Sequence, residues 1–177
     1  MNLPFSTHFS KYIPVIGGKP TYFIDRIWLC IAAHQLIDDA LFRSEKNKYA
    51  IEHYTKKREN WDYYYGNNAK WHTIRKGNRF KKGDKLHMIV YNRTKNRFQF
   101  CPVLECTGTQ DIFMTYAHNN IIEMSIDGTY FYDRERVALN DGFDSYDEFF
   151  YFFYQAIMKD PDQSFSGQII HWTNLKY

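Results

Sequence analysis

The sequence predicts an α+β fold, in which a small mixed or antiparallel β-barrel is surrounded by helices within one domain covering residues 1–177. Three observations lead to this prediction. Short segments of strand character, separated by turn residues, fill most of residues 86–132. Apolar residues at helical spacing occur before and after that region. The length of 177 residues suits one domain with a core of ordinary size.

The first helix is predicted from about Tyr22 to Phe42, where apolar side chains recur at helical spacing. Thr21 is expected to be its N-cap. The glycine-rich loop before it is not a phosphate-binding P-loop, because Pro20 stands where that motif needs a hydroxyl group. An insertion of basic and aromatic residues follows at about 44–68, and the pattern predicts a helix from Glu45 to Arg58 within it.

The central part of the chain is predicted to form antiparallel strands joined by short links. Asp127-Gly128 is the strongest hairpin signal, because this pair readily adopts the positive φ angles of a two-residue turn. Pro102 is expected to kink its strand or to place it at a sheet edge. Such strands suggest a small barrel, which has no open edges. The predicted strands are Leu86–Tyr91, Arg97–Cys106, Thr109–Tyr116, Ile121–Ile126, Thr129–Tyr132 and a closing strand at Gln168–Trp172.

Two further helices are predicted before the closing strand. Arg134–Asn140 is interpreted as a short helix that ends near Gly142, which suits the left-handed C′ position. Ser145 and Glu148 have the spacing of a capping box at the start of the next helix. The phenylalanines at 149–153 on that helix are predicted to be core residues rather than a cofactor-binding motif.

Charge is distributed unevenly, although the net charge is only +3. Residues 43–97 hold 16 Lys and Arg against five Asp and Glu, and the rest of the chain is acidic. A basic third favours a polyanionic partner such as RNA or another single-stranded nucleic acid. Aromatic residues make up 19% of the chain, and those that lie between basic groups suit the stacking of bases.

The sequence argues against several other functional classes. No apolar run approaches the length of a membrane span and the first residues lack a signal-peptide pattern, so a cytoplasmic protein without a membrane partner is expected. The three cysteines, Cys30, Cys101 and Cys106, lack metal-ligand spacing and are expected to be reduced thiols. No metal site and no cofactor is predicted.

The stretch richest in chemically active side chains runs from residue 68 to 86. Its cations are followed by a turn at Gly83-Asp84 into an apolar strand, and loops held on a rigid frame usually carry function. The cations would neutralise phosphates, and a neighbouring ring could stack an unpaired base. The candidate binding residues are Trp71, His72, Arg75, Lys76, Arg79, Lys81 and Lys82.

Two stretches of this region form a pattern, Lys70-x-x-Thr73-Ile74-Arg75 and then Phe80-Lys81-Lys82-Gly83-Asp84-Lys85-Leu86. They resemble the signature turn and the next strand of ASCH domains, within the PUA-like superfamily. Ala138–Ser145 resembles the segment that supplies an acidic pocket residue in that family, and Ile169–Trp172 fits its closing strand. The resemblance covers roughly residues 70–175. It implies a PUA-like β-barrel with a cleft for RNA or a flipped modified base.

The resemblance also suggests a reaction. In some small ASCH proteins, Lys, Thr and an acidic residue are implicated in hydrolysing N4-acylated cytidine, and Lys70, Thr73 and Asp141 are the matching positions. A threonine hydroxyl needs an adjacent base, which a lysine can provide when burial or a cation such as Arg75 lowers its pKa. Asp141 would orient the lysine or shuttle a proton. The family's hydrolases use Glu there, and Asp141 reaches about one C–C bond less far.

Three hypotheses about function follow. The favoured one is the binding of nucleic acid or a modified nucleoside in a basic cleft around Lys70–Lys82. The alternative is an amidohydrolase that acts on N4-acylated cytidine through Lys70, Thr73 and Asp141. The second alternative is an accessory protein that binds a protein partner through aromatic residues at Trp61–Tyr65.

Overall fold

A computed structural model of the chain describes residues 1–45 and 69–177. From residue 46 onward, the insertion predicted at about 44–68 lies outside the described residues, with its helix and its aromatic residues Trp61–Tyr65. The described part is α+β, with helices packed against mixed and antiparallel sheets, as the sequence predicts.

Four helices occur in the described part of the chain. The prediction of one helix from Tyr22 to Phe42 is wrong, because that segment contains two. Gln35 adopts a φ of 48°, and the N–H of Leu36 donates to the carbonyl of Ile31 at 3.1 Å. This Schellman motif ends the first helix without the glycine that usually marks such an end. The helices are α1 (Phe23–Ala33), α2 (residues 39–45), α3 (Arg134–Asn140) and α4 (Tyr146–Met158).

The starts of the helices agree with the sequence only in part. Thr21 is not the N-cap of α1, because Tyr22 holds that position at a φ of 54° and makes no side-chain cap. The Thr21 hydroxyl nevertheless accepts the N–H of Phe23, the first residue of α1, at 3.4 Å, and it donates to the carbonyl of Ser6 at 2.6 Å. At α4 the predicted cap is present, since the Ser145 hydroxyl accepts the N–H of Glu148 at 3.3 Å.

Nine strands of the described residues form two sheets. They are β1 (Asn2–Pro4), β2 (His72–Lys76), β3 (Lys85–Val90), β4 (Phe98–Gln99), β5 (Leu104–Glu105), β6 (Gly108–Ala117), β7 (Ile121–Ile126), β8 (Thr129–Tyr130) and β9 (Ser164–His171). In the first sheet, β3 pairs with β1 in parallel and with β4 and β5 antiparallel. The second sheet is antiparallel, in the order β2-β9-β6-β7-β8.

The two sheets meet through side chains. Phe5, after β1, packs edge-on against Trp172, after β9, with ring centroids 6.5 Å apart. Gln168 of β9 accepts the N–H of Phe80 at 2.7 Å and donates to its carbonyl at 3.0 Å. Among the described residues the backbone ladders form these two sheets, and closure into a barrel stays a prediction.

Three strand predictions can be compared directly with the fold. The hairpin at Asp127-Gly128 is confirmed, with φ angles of 49° and 79°. The return strand predicted at Arg97–Cys106 is confirmed in part, because β4 and β5 both pair antiparallel with β3 but are separate two-residue strands with Pro102 between them. The turn expected at Lys70–Arg75 is wrong, since β2 begins at His72 and pairs with β9.

The hydrophobic core lies between the second sheet and α4 and continues beneath α1. Phe149 and Phe153 of α4 are buried, and their rings are 4.5 Å apart. Phe143, just before α4, is fully buried and meets Phe23 of α1 edge-on, with ring centroids 5.3 Å apart. This packing fixes α1 and α4 relative to each other beside the start of β2, where the candidate residues lie.

Candidate functional site

The candidate site forms where the start of β2 meets the end of α3. The N–H of Trp71 donates to the carbonyl of Asn140 at 2.8 Å, and the N–H of Lys70 donates to the carbonyl of Arg26 at 3.0 Å. Asp141 is the C-cap residue of α3. Backbone hydrogen bonds therefore hold residues 70 and 141 side by side, although they are far apart in the sequence.

Lys70 and Asp141 form a buried ion pair. The Lys70 Nζ lies 2.6 Å from Asp141 Oδ1, and the amine also donates to the Asp141 backbone carbonyl. The same carboxylate oxygen accepts the N–H of Ile74 at 3.3 Å. Lys70 is 1% exposed and Asp141 is 3% exposed. The amine and the carboxylate that the sequence assigns to one site do meet there.

Aromatic rings and a second cation surround the Lys70 amine. Its Nζ lies 4.5 Å from the ring centroid of Phe23 and 5.9 Å from that of Phe5. The guanidinium carbon of Arg75 lies 5.1 Å from the centroid of the same Phe5 ring. Faces of aromatic rings attract cations, so these contacts offset part of the cost of removing both cations from water.

Burial changes the protonation equilibria of the ion pair. It lowers the pKa of Lys70 to about 8, and the cations of Arg75 and Arg26 act in the same direction against the attraction of Asp141. Burial raises the pKa of Asp141, while Lys70 and Arg75 oppose that change. A lysine with this pKa is neutral in about a tenth of molecules at pH 7, so Lys70 can act as a base.

Thr73 occupies a strand position beside this pair. Because side chains alternate along β2, Thr73 lies on the same face as Arg75 and opposite Ile74. Thr73 is 1% exposed. Among the described residues, no hydrogen bond joins its hydroxyl to Lys70 or Asp141. Two of the three predicted catalytic residues are thus in contact, and the third lies close along the chain without a direct bond to them.

His72 is buried, whereas a residue that stacks a base from an exposed surface must be accessible. Its ring meets that of His171 with centroids 5.5 Å apart, and its Nε2 lies 2.6 Å from the Tyr177 hydroxyl. That hydroxyl also accepts a hydrogen bond from Asn140 at 2.9 Å. Burial lowers the pKa of His72 well below its usual value, so the imidazole is neutral. The expectation that His72 stacks a base is not met in this conformation.

Exposed cations follow β2, on the way to β3. Arg79, Lys81 and Lys82, named here the basic turn, all have exposed side chains. In residues 1–45 and 69–177 no carboxylate lies within ion-pair distance of these three cations. Lys76 is also exposed, but its Nζ pairs with Asp160 at 2.8 Å. The basic turn therefore presents three charges without carboxylate partners in this part of the molecule.

The other predicted binding residues lie deeper. Trp71 is partly buried, and its ring meets that of His34 with centroids 4.2 Å apart. Arg75 donates to the carbonyl of Pro4 at 2.6 Å and is mostly covered. The predicted set is therefore divided between an interior group around Asp141 and an exposed group at the basic turn.

The segment that carries the basic turn is firmly anchored. The Gln168 side chain accepts a hydrogen bond from the N–H of Phe80 and donates one to its carbonyl, as the backbone of a neighbouring strand would. The N–H of Lys81 donates to the Asp84 carboxylate at 2.9 Å, and the N–H of Gly83 donates to the carbonyl of Cys106 at 2.8 Å. These bonds fix the backbone from which the cations extend, which lowers the entropy that the segment would lose when a ligand binds.

Comparison with known proteins finds no relative. No protein-family model matches the chain, and no curated protein or solved structure is significantly similar to it. Within the described residues, no group of three or more His, Cys, Asp or Glu could hold a metal ion. In the same residues, every helix is too short or too polar to cross a bilayer.

Sequence reasoning missed three residues that shape the site. Arg26 of α1 is 4% exposed and donates to the carbonyl of Gly142 and the carboxylate of Asp144. Its spacing of three residues from Phe23 and four from Cys30, on the apolar face of α1, is the signal that could have revealed it. His171 and Tyr177 enclose His72, but nothing local in the sequence connects these three residues.

Proposed function

We propose that this protein binds nucleic acid or a modified nucleoside in the manner of ASCH and PUA-like domains, with its strands arranged as a small β-barrel. The observation that carries the proposal is the basic turn, in which Arg79, Lys81 and Lys82 are exposed without carboxylate partners among the described residues. Cations of this kind bind phosphates, and binding releases counterions from the nucleic acid.

The experiment that tests this proposal measures affinity against salt. Labelled single-stranded RNA and DNA are titrated with the protein by fluorescence anisotropy over a series of salt concentrations. We expect the affinity to fall as salt rises, and removal of all three cations by Arg79→Ala, Lys81→Ala and Lys82→Ala to reduce the slope of log affinity against log salt by about two.

A matched control separates phosphate contacts from a general change in charge. Lys85 is exposed but pairs with Glu105 at 2.7 Å, so Lys85→Ala should leave the salt slope nearly unchanged. A wild-type affinity that does not respond to salt would refute the proposal. Equal slopes for the wild type and the triple variant would show that the basic turn does not contact phosphate.

A second function, hydrolysis of N4-acylated cytidine, is favoured by one specific observation. Lys70 has a pKa lowered to about 8 and contacts Asp141 at 2.6 Å, which suits a lysine that removes a proton from Thr73 during attack on an amide. The burial of all three side chains means that substrate must reach them through an opened conformation.

This reaction is tested with N4-acetylcytidine as substrate. We expect the wild type to release cytidine and acetate, with a rate that rises as pH increases through about 8 because Lys70 loses its proton there. Lys70→Ala and Thr73→Ala should each lower the rate by about 100-fold or more, because a general base typically contributes a factor of that size. No turnover by the wild type, or turnover by either variant equal to that of the wild type, would rule out this function.

A further inference from the structure

One row of residues crosses four strands of the second sheet, β9, β6, β7 and β8, on a single face and reaches Gly77, just after β2. Phe113 of β6 pairs with Ser166 of β9 on one side and with Ser125 of β7 on the other. Ser125 pairs in turn with Tyr130 of β8. At the opposite end, the N–H of Gly77 donates to the carbonyl of Ser166 at 3.1 Å. Paired residues of neighbouring strands share a face, so this row is continuous.

The row contains two large aromatic side chains that are open to solvent. Phe113 is 46% exposed and Tyr130 is 40% exposed, whereas Ile112 and Met114, the neighbours of Phe113 on the opposite face, are buried. Burying an apolar ring is favourable, so an exposed phenylalanine in the centre of a sheet is a candidate contact surface.

A groove runs along this row from Gly77 to Ser125, and Tyr130 lies just beyond its lining. Its volume is about 510 Å³, and its lining includes Gly77, Asn78, Phe113, Ser125 and Ser166. The serines beside Phe113 are small, so a flat group can lie on the Phe113 ring without a clash. Phe113 and Tyr130 are two strands apart, which separates them by about 10 Å. This distance suits two bases of an extended single strand.

Cations lie beyond the two ends of the row from Gly77 to Tyr130. Gly77 and Asn78 lie at one end, and they lead directly into the basic turn. At the other end, the guanidinium of Arg134 donates to the Tyr130 hydroxyl at 2.8 Å. Asp111 also lines the groove and would repel a phosphate. A base, rather than a phosphate, is therefore expected next to Asp111.

We propose that this sheet face is a stacking platform for single-stranded nucleic acid, in which Phe113 and Tyr130 each stack a base while the basic turn holds the phosphates. The inference rests on the proposed nucleic-acid binding and names the surface that carries it. Aromatic side chains beside a basic strip are the usual means of holding unpaired bases without strong sequence preference. The occupant is a single strand, because paired bases do not expose their faces.

The test uses short labelled oligonucleotides, single-stranded RNA in one arm and single-stranded DNA in the other. At fixed low salt, Phe113→Ala and Tyr130→Ala should each weaken binding by about tenfold or more, as expected for the loss of one stacked base. Phe113→Tyr keeps the ring and should stay within about twofold of the wild type. The two arms show whether the platform holds RNA, DNA or both.

Controls keep this inference separate from the proposed function. Tyr12 is 92% exposed and does not line this groove, so Tyr12→Ala should bind like the wild type. Phe113→Thr, with high strand propensity, replaces Phe113→Ala if that variant fails to fold. Phe113→Ala should retain the salt slope of the wild type, because the basic turn is intact. Salt-dependent binding that is unaffected by the loss of either ring overturns the platform alone, whereas absence of wild-type binding overturns both proposals.

Discussion

At the scale of single residues, the site depends on an amine and a carboxylate that are both removed from water. Isolated buried charges are costly, and the contact of 2.6 Å between Lys70 and Asp141 offsets that cost. Removal of one partner alone would leave the other charge without compensation, at about 3–5 kcal/mol. A variant that lacks only Lys70 or only Asp141 could therefore lose activity because it unfolds, so its folding has to be measured separately.

The lowered pKa of Lys70 predicts how stability depends on pH. The folded lysine loses its proton above about 8, while the unfolded lysine keeps it until about 10.5. Between these values the unfolded state binds more protons, so the free energy of unfolding should rise with pH. Below pH 8 both states are protonated, and the contribution of Lys70 is constant.

Urea denaturation at several pH values from 7 to 10 checks this prediction. The reference is the double variant Lys70→Met with Asp141→Asn, which lacks both members of the pair. Burial also raises the pKa of the Cys30 thiol, to about 12. Because Cys30 is present in both proteins, its contribution to the pH dependence of stability cancels in the comparison. The stability of the wild type relative to the reference should rise above pH 8, and a flat or falling difference would contradict the assignment.

At the scale of elements, the end of α3 positions the carboxylate. Gly142 adopts a φ of 82°, and a Cβ there would lie 3.0–3.1 Å from three carbons of the Lys70 side chain. Gly142→Ala should therefore displace Lys70 as well as strain the backbone. The control Gly83→Ala has a φ of 89° and no heavy atom within 4 Å of the added Cβ, so it tests the backbone cost alone.

We expect Gly83→Ala to lower the free energy of unfolding by about 1–2 kcal/mol. Gly142→Ala should lower it by a further 1–3 kcal/mol, roughly the cost of overpacking a buried position. Chemical denaturation of the two variants and the wild type provides the comparison. Equal losses would mean that Lys70 moves aside freely and that Gly142 does not fix its position.

The elements that the sequence predicts well have strong local signals. Asp127-Gly128 and the Ser145 cap act over a few residues, and both are present. The sequence pattern does not predict the break after α1, because Gln35 adopts the left-handed conformation there and not the glycine that usually marks a helix end. Pro102 signals the interruption between β4 and β5, but its local pattern does not report how short each of the two strands is.

At the scale of the whole molecule, the α+β class follows from local patterns, whereas the site requires contacts between distant segments. The resemblance to ASCH domains suggested that Lys70 and Asp141 belong together. It did not reveal Arg26, which joins α1 to the segment after α3. It also did not show that His72 is enclosed by Tyr177, because that contact spans 105 residues of sequence.

The position of Asp141 has a consequence for how copies of this protein meet one another. β2 lies at the edge of the second sheet, where unpaired backbone groups could recruit a strand from another molecule. The N–H of Ile74 on that edge already donates to Asp141, and the end of α3 covers the strand beside it. The Asp141 carboxylate thus covers one open donor of this edge, and a variant without it would leave the Ile74 N–H free to pair with a strand of another copy.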